Sequence, residues 1–80
     1  MNIKNQFQVK LNDYDSLDIF SNFSFDDSNT DKFLQMIESH NMYFGGSIGD
    51  TGIEGCLDHS ESLLSKSEIE KLLNDFVNNN

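Results

Sequence analysis

All five glycines of this chain fall between Gly45 and Gly55, inside a stretch that also holds one of its two tyrosines and its single cysteine. A run so rich in glycine is a poor helix, because each glycine loses more backbone freedom on ordering than any other residue. It lies between the two segments whose apolar spacing is most clearly helical. The fold must therefore place a turning, closely packed β segment between two helices. Met42 to Phe44 reads as a short strand, and Gly45-Gly46 as a bend or a close backbone approach. Gly49-Asp50-Thr51-Gly52 reads as a turn. Residues 53–57 resume a strand with Ile53 and Leu57 on one side and Cys56 on the other, completing a hairpin.

The flanking segments follow the helical period. Phe33, Leu34, Met36 and Ile37 make one apolar face of a helix expected over residues 30–39. Residues 26–30 (Asp-Asp-Ser-Asn-Thr) offer several N-caps, and Asn41 suits the left-handed residue that closes such a helix. The last segment is cleaner. Ser65-Lys66-Ser67-Glu68 is a capping box, followed by Ile69, Leu72, Leu73, Phe76 and Val77. Leu63 or Leu64 is placed to staple its start.

The front of the chain alternates instead. Phe7, Val9 and Leu11 are separated by Gln8 and Lys10, the period of a half-buried strand. Residues 12–16 (Asn-Asp-Tyr-Asp-Ser) have turn chemistry. Residues 17–25 read as one strand kinked where Phe20 breaks the period and Ser21-Asn22 forms a bulge. Alternatively, only residues 23–25 belong to the sheet. The order is strand, strand, helix, strand, strand, helix. This predicts a single α+β domain over residues 1–80, a small sheet of two β-hairpins with two helices on one face (ββαββα). The other face of the sheet is left wet, where a partner can sit.

Charge narrows the function. The chain has 14 acidic and 5 basic residues, for a net charge of −9. Such a surface repels phosphate backbones, so direct nucleic-acid binding is disfavoured and a basic protein surface is favoured. Solubility alone also accounts for acidic charge. Neither an apolar leader region after Met1 nor a membrane-length apolar run is present, which reads as cytoplasmic. Every basic residue is lysine, which suggests an AT-rich coding sequence and a bacterial or phage source.

No catalytic motif is complete. The glycine stretch lacks a phosphate-loop lysine and dinucleotide spacing, and Asp50 and Glu54 oppose phosphate. Asp50, Glu54 and Asp58 are candidate hard-cation oxygens without a calcium-loop pattern. His40, Cys56 and His59 lack paired metal-ligand spacing, and Cys56 reads as a small core residue. Cys56, His59 and Asp58 make a nucleophilic set in name only, because such triads are spatial. No enzyme activity, metal or cofactor is expected. The carboxylates form two groups: Asp13, Asp15, Asp18, Asp26, Asp27 and Asp31, then Asp50, Glu54, Asp58 and Glu61. Were they to share a face, the surface would imitate the charge spacing of a nucleic-acid backbone.

Several segments from Phe33 onward resemble the YggL family of small bacterial proteins, described as binding the large ribosomal subunit. They are Phe33-Leu34-x-x-Ile37-Glu38, Asn41-Met42-x-Phe44-Gly45-Gly46, the stretch from Gly52 to Cys56, and Ser65-x-x-Glu68 opening an amphipathic helix. The likeness covers just over half the chain. It implies a non-enzymatic, ribosome-associated binding module. Family members begin with an Arg/Lys-rich segment where this chain has Met1-Asn2-Ile3-Lys4-Asn5, so docking would be on basic ribosomal proteins rather than on RNA. Charge points to another function: an acidic inhibitor, of the phage anti-defence or anti-CRISPR type, that occupies a basic nucleic-acid-binding site of its partner. For that role the expected contacts are Asp26, Asp27, Asp31, Asp50 and Glu54.

Overall fold

The computed structural model describes residues 7–12 and 16–79. The order is β1 (Gln8–Leu11), β2 (Leu17–Ser21), α1 (Asp27–Ser39), β3 (Tyr43–Gly49), β4 (Gly52–Asp58) and α2 (Lys66–Asn78), an α+β arrangement. The strands form one antiparallel sheet in the order β1-β2-β4-β3. β2 and β3 both run antiparallel to β4. They are therefore parallel to each other, and parallel strands need a crossover, which α1 supplies.

One-sided burial sets the register. Leu17, Ile19 and Ser21 of β2 and Ile53 and Leu57 of β4 are buried, while Asp18, Phe20, Glu54 and Cys56 between them are exposed. The buried set joins Phe33 and Ile37 of α1 and Ile69, Leu73 and Val77 of α2 in one cluster. Both helices thus cover the same face of the sheet. Phe33 sits at the centre, within 5.4 Å of the Phe25 and Phe76 rings and 6.3 Å of Phe44. Phe7, just ahead of β1, is held by its N–H, which donates to Asn74 Oδ1 of α2 at 2.8 Å.

Two local expectations are corrected, and two that were left open are decided. First, α1 begins at Asp27, three residues before the expected start. Asp26 Oδ1 accepts the Asn29 N–H at 2.8 Å and Asn29 Oδ1 accepts the Asp26 N–H at 2.7 Å. This capping box is built from Asp and Asn, and the polar first turn carries no apolar signal. The expected closure does form: Asn41 has φ 61, its N–H donates to Glu38 O, and Met42 N–H donates to Ile37 O. That is a Schellman motif, and Ile37 and Met42 are both fully buried beside it.

Second, neither reading of residues 17–25 holds. β2 ends at Ser21, whose buried hydroxyl accepts the Phe23 N–H at 3.1 Å. The chain then leaves the ladder. Phe23 and Phe25 alternate with exposed residues because the connector is buried on one side, their rings meeting edge to face at 4.9 Å. Third, of the two readings of Gly45-Gly46 the bend is absent, since β3 runs through to Gly49, and the close backbone approach is present at Gly46, where a Cβ would meet Glu54 O and, at 2.6 Å, Gly55 Cα. Fourth, the helix staple is Leu64, half-buried against the core, while Leu63 is 98% exposed. The capping box of α2 is present as expected, with the Ser65 hydroxyl accepting the Glu68 N–H and the Glu68 carboxylate accepting the Ser65 N–H.

Candidate functional site

Of the carboxylates expected to make contacts, Asp26, Asp27 and Asp50 lie toward one end of the molecule, and the five share no single face. The Phe25 N–H donates to Gly49 O at 2.9 Å. This bond brings the start of α1, which carries Asp26 and Asp27, up to the β3–β4 turn that carries Asp50. Asp31 lies one helical turn further along α1, on the same stripe as Asp27. Glu54 is the outlier: it projects from the face of the sheet opposite the helices. All five are exposed. Among the described residues the ion pairs are Lys66–Glu70 and Lys71–Asp75, both on α2. Among the described residues, no ion pair therefore engages the acidic end. Like charges at Asp27 and Asp31 oppose helix stability slightly, although Asp27 in the first turn suits the helix dipole. Asp13 and Asp15, counted with the front group, lie outside the described residues.

The sheet face away from the helices is a second surface. Across it run the rows Lys10–Asp18–Cys56–Gly45 and Gln8–Phe20–Glu54–Ser47, with Asp58 opposite Tyr43. Lys10, Asp18, Phe20, Glu54 and Cys56 line a shallow depression of about 370 Å³. Phe20 is 38% exposed and Tyr43 58% exposed, unusually open for aromatic rings in a small domain. The period-breaking Phe20 is thus an outward residue of a regular strand. Strand parity carried that signal; the size of the side chain obscured it.

Cys56 corrects the reading of it as a core residue. It is exposed, and its thiol donates to Asp18 Oδ1 at 3.2 Å. The Asn12 amide donates to the same oxygen at 3.1 Å. These two bonds, Asn12 first, hold the Asp18 carboxyl below the ordinary aspartate range. The bond to Asp18 in turn pushes the Cys56 thiol above its ordinary value, helped by partial desolvation and the Asp18 charge. A thiol held protonated is a weak nucleophile.

Nor do Cys56, Asp58 and His59 assemble as a catalytic set. Cys56 bonds Asp18, and Asp58 Oδ1 accepts the Ser60 N–H at 2.9 Å. That bond holds the Asp58 carboxyl below its usual range. His59 Nδ1 is buried without a hydrogen-bond partner among the described residues. Among those residues no group of three or more His, Cys, Asp or Glu gathers at metal-binding distance, so neither metal set named from the sequence is brought together. The glycine stretch forms a hairpin, with Asp50-Thr51 as its turn. No described helix is long and apolar enough to cross a membrane.

No family model matches the chain, and no curated protein or solved structure is similar to it.

Proposed function

We propose that this protein is a non-enzymatic binding module that occupies a basic, nucleic-acid-binding surface of a partner protein and so inhibits it. One observation carries the reading: Asp26, Asp27 and Asp50 lie on adjoining segments at one end of the fold, and no ion pair among the described residues engages them. Uncompensated charge of one sign steers association with an oppositely charged site and suppresses other partners. Asp31 and Glu54 extend that charge along α1 and onto the open sheet face.

Association with the large ribosomal subunit is the second reading. It is favoured by the resemblance of Phe33-Leu34-x-x-Ile37-Glu38 and Asn41-Met42-x-Phe44-Gly45-Gly46 to the YggL family. These segments pack together, through the Phe33–Phe44 ring contact at 6.3 Å.

Capture with the tagged protein from nuclease-treated lysate of the source cell separates the two. Inhibition predicts recovery of one basic nucleic-acid-handling protein, displaced by added DNA or RNA. The Asp26→Lys/Asp27→Lys variant should associate more slowly, with a weaker salt dependence. Co-migration with large ribosomal subunits on a gradient would instead support the second reading. Association unchanged in the double variant would remove the acidic end from the site.

A further inference from the structure

We propose that the free edge of β3 accepts an extended, arginine- or lysine-bearing segment of the partner protein as a fifth strand of the sheet. The expected charge of the segment rests on the function proposed above; the place rests on β3 alone.

The two edges of the sheet differ. Natural edge strands are blunted by brevity, charge or proline, because an open edge pairs with other chains. β1 is four residues long and carries Lys10. β3 is seven residues long, Tyr-Phe-Gly-Gly-Ser-Ile-Gly, with neither charge nor proline. Gly45, Gly46 and Ser47 at its centre are exposed. Its far end is engaged by the Phe25 N–H at Gly49 O, and among the described residues no other backbone bond is made to its outer edge, so the ladder positions before Gly49 are the open stretch.

The glycines of β3 have different causes. A Cβ on Gly46 would meet Glu54 O and, at 2.6 Å, Gly55 Cα, so glycine is required there by packing. A Cβ on Gly45 would meet nothing within 4 Å. Glycine weakens a strand, and inside one it commonly marks where another backbone or a ligand approaches. No packing among the described residues asks for glycine at position 45.

The surroundings select the occupant. On the open face Gly45 lies between Tyr43 and Ser47, and behind these on β4 stand Asp58, Cys56 and Glu54. A strand added to β3 would lie about 4.8 Å from it and about 10 Å from β4. Long cationic side chains of alternate residues would then cross the bare Gly45 and the small Ser47 to reach Asp58 and Glu54. The path is already hollow: a depression of about 530 Å³ opens over Tyr43, Gly45, Cys56, Asp58 and Ser60. The exposed Tyr43 ring adds a surface on which a guanidinium can stack. In this mode main-chain bonds supply affinity and alternate side chains specificity. A second copy of this chain carries the same net charge of −9 and is repelled.

The test uses the full chain and a labelled peptide of alternating arginine and threonine, read by fluorescence anisotropy at low ionic strength and by amide chemical shifts. We expect binding, with the largest shifts at the amides of β3. A peptide of alternating arginine and proline keeps the charge but loses half its N–H donors. It should bind at least about tenfold more weakly, a difference of about 1.4 kcal/mol. Gly45→Lys, which has room to fold, and Ser47→Lys should weaken the arginine-threonine peptide similarly. Asp26→Lys/Asp27→Lys should leave its binding almost unchanged. The proposal is overturned if the peptide does not bind, if the proline peptide binds equally well, or if both lysine variants bind as wild type. It is also overturned if sedimentation shows a dimer that Gly45→Lys dissociates, which would give the edge to a second copy. Peptide binding lost only in the Asp26/Asp27 variant would overturn the edge and leave the acidic-end reading standing.

Discussion

Gly46 and Gly55 face each other across the β3–β4 ladder on the core side of the sheet, and the Phe44 ring lies over the pair. A Cβ on Gly55 would meet Gly46 Cα and Phe44 Cζ, each at 2.8 Å, and would run into Gly45 O. The two glycines are therefore a floor for an aromatic ring, not a hinge. On the opposite face, the Cys56–Asp18 pair has a chemical consequence. Asp18 accepts the thiol proton and opposes the thiolate by its charge. Asp18→Asn removes that charge, so the thiol becomes easier to ionise. The thiolate is the reacting species, and its lower basicity only partly offsets its greater abundance. We expect Asp18→Asn to speed alkylation of Cys56 by iodoacetamide, roughly severalfold at mildly alkaline pH. Mass spectrometry over time measures this, and an unchanged or slower rate would assign no control to Asp18.

At the scale of elements, both helices depend on reciprocal caps. In α2 the Ser65 hydroxyl takes one orphan N–H and the Glu68 carboxylate another. Ser65→Ala should cost about 1 kcal/mol in urea unfolding, and a loss below a few tenths would show the cap to be idle. The same cap gives a pH dependence. The Ser65 backbone N–H, then its hydroxyl, hold the Glu68 carboxyl below the ordinary glutamate range. A lowered folded pKa stabilises the fold above the unfolded value, and that contribution is lost as pH falls through the folded value. The stability gap between wild type and Glu68→Gln should therefore be largest near neutral pH and narrow steadily under acid. A gap that stays constant across the carboxylate range would remove Glu68 from the acid response.

For the whole molecule, Phe33 is the common contact of Phe7 just ahead of β1, of β3, of the 22–26 connector and of α2. Its ring meets Phe7, Phe25, Phe44 and Phe76. A chain of this length has roughly 4–12 kcal/mol of stability in total. Phe33→Ala removes a fully buried ring and should cost about 3–5 kcal/mol. We expect most of the cooperative melting transition to disappear. A well-folded Phe33→Ala protein would mean that the aromatic cluster is dispensable. The same cluster explains why the wet face of the sheet is free for a partner: the large apolar side chains are drawn to the helix side, leaving Phe20 and Tyr43 alone among short and charged residues.

What the sequence determined by itself was whatever depends on neighbours within four residues. The α2 cap, the Asn41 closure, the parity of Ile53, Cys56 and Leu57, and the ββαββα order all rest on local geometry, so a linear reading reaches them. The start of α1 is local too, but its Asp–Asn cap precedes a polar turn where apolar periodicity is silent. Tertiary structure decided the rest. Only the β2–β4 pairing shows that β2 stops at Ser21, and that pairing joins residues more than 30 apart in sequence. The same pairing places β3 at an edge, and the bond from Phe25 N–H to Gly49 O, between residues 24 apart, brings the start of α1 up to the turn that carries Asp50. Strand order is set by which apolar faces can be buried together, a property of the assembled sheet that no short window of residues contains.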